Sequence, residues 1–109
     1  MNRLRNRVQL IGNLGSDPEI LHLDSNKVLA RFNVATNESY KNAKGEIITD
    51  TQWHQVIAWN KTALIIEKHV TKGREVVIEG KLTSRSYEDK QGEKKYVTEV
   101  VCNELIIVK

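Results

Sequence analysis

Along Arg5–Leu14 polar and apolar positions alternate, Arg7 and Gln9 against Val8 and Leu10, until Gly12-Asn13-Leu14-Gly15 ends the run. Period-two alternation marks a strand with one face on a core. Val28–Thr36 repeats the pattern, with Phe32 and Val34 on one face and Arg31 and Asn33 on the other. Thr51–Trp59 is a third run, with His54, Val56 and Ala58 in one phase. Arg74–Leu82 is a fourth, with Val76, Ile78 and Leu82 in phase, and Tyr96–Val108 is a fifth, rich in valine and isoleucine, as strands prefer. Between the third and fourth runs the period changes. Across Lys61–Lys72, Ala63, Ile66 and Val70 recur at helical spacing. Asn60 is placed to cap that helix, Lys72 suits its last turn, and Gly73 the residue after it.

The order β-β-β-α-β-β predicts a mainly all-β domain, the five-stranded Greek-key barrel called the OB-fold, with one short helix between strands three and four. A small β-sandwich is the competitor, but it gives no reason for a helix at that point. No linker, repeat or low-complexity stretch divides the 109 residues, so residues 1–109 are expected to form one domain. Asp17-Pro18 signals a turn. Asn37–Asp50 and Thr83–Lys95 read as long polar loops, and loops of that length are often functional.

The third run carries both tryptophans of the chain, Trp53 and Trp59. Their even spacing puts both indoles on the face opposite Val56 and Ala58. Two readings stand for that face. It is a platform on which unpaired bases stack, or it is buried in a second layer or an oligomer interface. Tyr40 and Tyr87 each stand among charges in one of the two polar connections, where an aromatic either binds a ligand or packs its own loop.

Charge sharpens this picture slightly. The net charge of +3 permits a polyanionic partner without requiring one. Arg3, Arg5 and Arg7 open the chain with no acid among them. Lys81, Arg85, Lys90, Lys94 and Lys95 are interleaved with Glu88, Asp89 and Glu93, which favours a solvated segment. With the aromatics, the cations that could follow a phosphate path are Arg3, Arg5, Arg7, Lys61, Lys72, Lys81 and Arg85. Such equipment suits a single strand, since a duplex hides the faces of its bases.

Other chemistries find little support. His22, His54 and His69 lack metal-ligand spacing, so no metal or cofactor is expected. His54 has the phase of Val56 and Ala58, which puts it on the inward or interface side. No P-loop and no nucleophile-elbow motif is present. Cys102 is the only cysteine, so no internal disulfide forms and a reducing, cytoplasmic setting is expected. Val8–Ile11 is too short for a secretory signal core, and no stretch reaches membrane-spanning length.

Five blocks in order carry a family likeness: Asn6–Glu19, Ala35–Tyr40, Thr51–His54, Val77–Leu82 and Tyr96–Val100. Each is weak alone, but the ordered set is specific and spans nearly the whole chain. The chain resembles the bacterial single-stranded-DNA-binding proteins. The resemblance implies an OB-fold that assembles as a homotetramer and covers single-stranded DNA in replication, recombination and repair. It implies stacking roles for Trp53 and Trp59, and weaker ones for Tyr40 and Tyr87, where many members have tryptophan. It implies cations near the phosphates at Arg3, Arg7, Lys61, Lys72 and Arg85. Gln55 departs, arginine being common there. Family members usually continue into a flexible linker and an acidic tip that recruits other proteins. This chain stops at Lys109, so partners recruited through such a tip are not expected of it.

Three rivals differ in class. A tail-less accessory module of the primosome would be a dimer and commonly lacks the aromatic pair of the third run. A cold-shock-type RNA binder would carry an aromatic- and glycine-rich motif absent here. A nuclease would need divalent metal.

Overall fold

In the computed structural model, which describes residues 5–108, six strands and one α-helix follow in the order β1 (Val8–Leu14), β2 (Glu19–Leu23), β3 (Lys27–Lys41), β4 (Ile47–Trp59), α1 (Asn60–His69), β5 (Glu75–Glu88) and β6 (Lys94–Ile107), with a single 3-10 turn, Asp24–Asn26, joining β2 to β3. The sheet runs β1-β5-β6-β4-β3-β2, and β1 also pairs with β3. That pairing, Asn13 with Ala35 and Leu14 with Val34, closes five strands into the expected OB-fold barrel. β2 is the strand the alternation did not reveal. It is five residues long and pairs only with β3, along Lys27–Arg31. After the Asp17-Pro18 turn it continues along β3 beyond the point where β1 leaves it. Only that edge makes a strand of so short a segment.

The barrel interior follows the alternation. Phe32 and Val34 of β3, Val56 and Ala58 of β4, Val76 and Ile78 of β5, and Val100 of β6 are all buried. Helix α1 contributes Ala63 and Ile66, with Val70 just beyond it. Leu82 breaks the expectation, being half exposed although in phase with Ile78. β5 has by then left the barrel. At that exit Glu79 pairs with Glu104 but Gly80 with Cys102, so Asn103 bulges from β6.

The helix ends also differ from expectation. Asn60 does not cap the helix. It lies in the left-handed region at φ 52°, and its side-chain oxygen accepts the Val28 N–H of β3 at 3.2 Å. The helix stops at His69, leaving Lys72 and Gly73 in a Thr71–Arg74 turn. The Gly73 N–H donates to the Leu14 carbonyl at 2.9 Å, and the Lys72 N–H to Asp17 Oδ1 at 2.8 Å. A tertiary demand on each end outweighs its local preference.

The two presumed loops are mostly strand. β3 runs on to Lys41 and β4 starts at Ile47; β5 runs on to Glu88 and β6 starts at Lys94. The turns share one design. Asn42 Oδ1 accepts the N–H groups of Lys44 and Glu46, and Asp89 Oδ1 those of Gln91 and Glu93. The fourth position is Gly45 at φ 78° and Gly92 at φ 81°, where a Cβ would be strained. Cross-strand hydroxyl bonds tie the ribbons: Ser39 to Thr49 at 3.1 Å, Thr51 to Asn37 at 2.6 Å, and Ser84 to Thr98 at 3.1 Å. β4 and β6 are parallel where they meet, Val56 beside Val100, and each begins at the tip of its ribbon. Both arms therefore leave the same end of the barrel.

Candidate nucleic-acid interface

The outward face of β4 presents Trp53, Gln55, Ile57 and Trp59. Across it on β3 lie Ala35, Asn33, Arg31 and Leu29 in register. Because Val56 and Ala58 take the core side, the indoles are forced outward. Trp53 is 61% and Trp59 40% exposed. Six residues of strand set them about 20 Å apart. His54 points the other way, half-buried, its Nε2 at 2.9 Å from Thr36 Oγ1. The benzo edge of Trp53 rests against Gly15, at the end of β1.

The tyrosines are both exposed and both on arms, not loops. Tyr40 pairs with Ile48, so it has the phase of the core-facing side and lies on the opposite face of the β3–β4 ribbon from the indoles. Tyr87 pairs with Lys95 near the tip of the other arm. Between the arms runs a groove of about 370 Å³, lined by Trp53, His54 and Gln55 on one side and Tyr96, Thr98 and Glu99 on the other. Tyr96 is an aromatic outside the expected stacking set. It is 72% exposed, with Lys94 Nζ 5.7 Å from its ring centroid. Its position at the head of a valine-rich run concealed it among core residues.

The cations do not form one cluster. Arg3 lies outside the described residues. Arg5 is exposed ahead of β1. Arg7 is bound to Glu79 at 2.8 Å on the outer side of β1 and β5, eight residues of chain from the glycine that Trp53 touches. Lys61 is exposed on the first turn of α1, two residues from Trp59, Lys72 in the turn after the helix, and Lys81 on β5. Arg85 Nε donates to Glu99 Oε1 at 2.9 Å. Glu99 is only 4% exposed, so this guanidinium balances a buried carboxylate. Arg31, not singled out by sequence, stands on the indole face, 3.3 Å from Glu19. The adjoining depression, about 320 Å³, holds Arg31, Asn33 and Gln55 with Asp17 and Glu99.

Among the described residues no group of three or more histidine, cysteine or acidic side chains is placed to hold a metal. No helix among them is long and apolar enough to cross a membrane. Burial pushes the Cys102 thiol up to about 11, which leaves it protonated and unreactive at neutral pH.

The closed five-stranded barrel defines an OB-fold protein, and its β4 face and both arms carry exposed aromatics. The model of the "Single-strand binding protein family" matches residues 5–108, and the chain belongs to that family. It is 44% identical over 106 residues to the Single-stranded DNA-binding protein 1 of Chlorobaculum tepidum, covering 96% of this chain and 65% of that protein. The chain thus spans somewhat less than two thirds of that relative. A Plasmodium falciparum SSB solved in complex with single-stranded DNA superposes with a TM-score of 0.86 at 29% identity, over 95% of both chains. A deletion variant of the Thermus aquaticus single-stranded DNA binding protein gives 0.83 at 24%, over 95% of this chain and 50% of that one, a likeness of fold.

Proposed function

We propose that this chain binds single-stranded DNA by stacking and phosphate neutralisation, without reading base sequence. It would thereby cover strands exposed in replication, recombination and repair, in the cytoplasm. The observation that carries the reading is the placement of Trp53 and Trp59, exposed on one strand face with the core on the other. Stacking is worth about 1–3 kcal/mol per base. Tyr96 adds an aromatic at the groove beside Trp53, Tyr87 one on the opposite face of the same arm, and Tyr40 one on the face of the β3–β4 arm away from the indoles. Arg5, Lys61, Lys72 and Lys81 supply charge toward the phosphates, together with Arg3. Arg7, Arg31 and Arg85 reach a phosphate only by giving up a carboxylate partner. The mode of action is binding, with no covalent step, metal or cofactor.

The same reading includes self-association, a homotetramer before a dimer. Ile11, Val77 and Ile106 lie in register across the outer face of β1, β5 and β6, with Ile11 and Ile106 exposed. An apolar stripe of this kind on a sheet face favours burial against another copy. Ile106→Glu is expected to lower the mass measured by sedimentation; an unchanged mass would remove this face from the interface.

The test of binding is tryptophan fluorescence titrated with oligo-dT and with a matched duplex, at low and high salt. Strong quenching by the single strand and little by the duplex is expected. Trp53→Ala and Trp59→Ala should each weaken binding by about 1–3 kcal/mol. No binding at low salt would overturn the proposal.

A further inference from the structure

Three glycines of this chain lack room for a side chain, but not for the same reason. A Cβ on Gly12 would meet the Ala35 backbone, with its carbonyl carbon at 2.9 Å. One on Gly80 would meet the Val101 carbonyl carbon at 2.8 Å and Cys102 Cα at 3.1 Å. Both mark places where barrel strands approach closely. At Gly15 the three nearest atoms all belong to the Trp53 ring: Cη2 at 2.7 Å, Cε3 at 3.6 Å, and Cζ3 nearer than either. No turn requires glycine there, because Gly15 is not among the residues with positive φ.

The two sides of this contact differ in stiffness. The Gly15 N–H donates to the Asn33 carbonyl at 3.2 Å, and the preceding Leu14 N–H to the Arg74 carbonyl at 3.1 Å, so the backbone is held from both flanks. The indole is more than half exposed and turns about its side-chain torsions. A Cβ at position 15 would leave the backbone in place and push the ring out by about an ångström to reach ordinary contact.

We propose that Gly15 is a positioning residue for Trp53. Its bare α-carbon is the seat of the benzo edge, and it holds the indole in one orientation before DNA arrives. A ring already ordered loses less freedom when a base stacks on it. This assignment rests on the stacking role proposed above for Trp53.

The experiment is a double-mutant cycle of Gly15→Ala and Trp53→Ala, read by oligo-dT affinity and thermal midpoint. Trp53 emission is followed separately in a Trp59→Phe background without DNA. G15A is expected to keep its midpoint within about 3 °C and to shift Trp53 emission. It should weaken oligo-dT binding about three- to tenfold, less than the roughly 5- to 150-fold expected for removing the ring. On W53A, G15A should change nothing further. Equal losses from G15A in both backgrounds, unchanged emission and affinity, or failure of G15A to fold would each overturn the assignment. If W53A itself binds like the parent chain, the stacking role fails instead. The emission shift of G15A would then still show whether the seat holds the ring.

Discussion

Neutralising Arg85 is expected to destabilise the barrel before it loosens DNA. Arg85 is 53% exposed, while the Glu99 carboxylate to which it donates at 2.9 Å is 4% exposed. Two unit charges about 4 Å apart interact by about 4 kcal/mol at an effective dielectric constant of 20. Breaking a fully buried pair costs about 3–5 kcal/mol, because the remaining charge is stranded. Water reaches half of this guanidinium and screens it, so about 1–3 kcal/mol is expected. Arg85→Met keeps most of the aliphatic stem and removes the charge. In urea its midpoint should fall with the slope unchanged. Glu99→Gln added to it should recover most of the loss, since no buried charge is left. In oligo-dT titrations the dependence of log affinity on log salt should stay as it was. A phosphate contact would instead reduce that slope by about 0.7. A reduced slope with an unchanged urea midpoint would refute the reasoning and return Arg85 to the phosphate path.

Tyr96→Ala should weaken oligo-dT binding by about 1–3 kcal/mol and leave the urea midpoint nearly untouched, because the ring is exposed; equal affinity would remove it from the surface the strand follows. Gly80→Ala forces the β5 and β6 backbones apart at the bulge and should cost about 1–3 kcal/mol or more in urea denaturation. Cys102 should resist alkylation at pH 8 until the chain unfolds. Its thiol is raised from 9.0 to about 11 in the fold, so the unfolded state ionises first. Stability should therefore be level below about pH 9 and fall toward pH 11, a fall that Cys102→Ala should abolish.

The order of apolar and polar residues sets which side of each strand is dry. Alternation through Phe32–Val34, Val56–Ala58 and Val76–Ile78 sets the core face, because a one-residue slip would turn every apolar side chain into water. Once Val56 and Ala58 are inside, Trp53 and Trp59 have to be outside. Ala63, Ile66 and Val70 likewise oriented the helix. Long-range pairing takes over where local preference is weak and a partner supplies the stabilisation. Ser39, Asn37 and Ser84 carry no strand pattern, yet they lie in strands because Thr49, Thr51 and Thr98 stand opposite them. Glu19–Leu23 is a strand because β3 has an edge to receive it. Arg85, equally plausible on paper as a phosphate ligand, lies beside Glu99 because the β5–β6 register brings together residues fourteen apart in sequence. Hydrophobic phase is a local property that each segment carries alone, whereas hydrogen-bond and charge partners exist only after the chain has closed on itself.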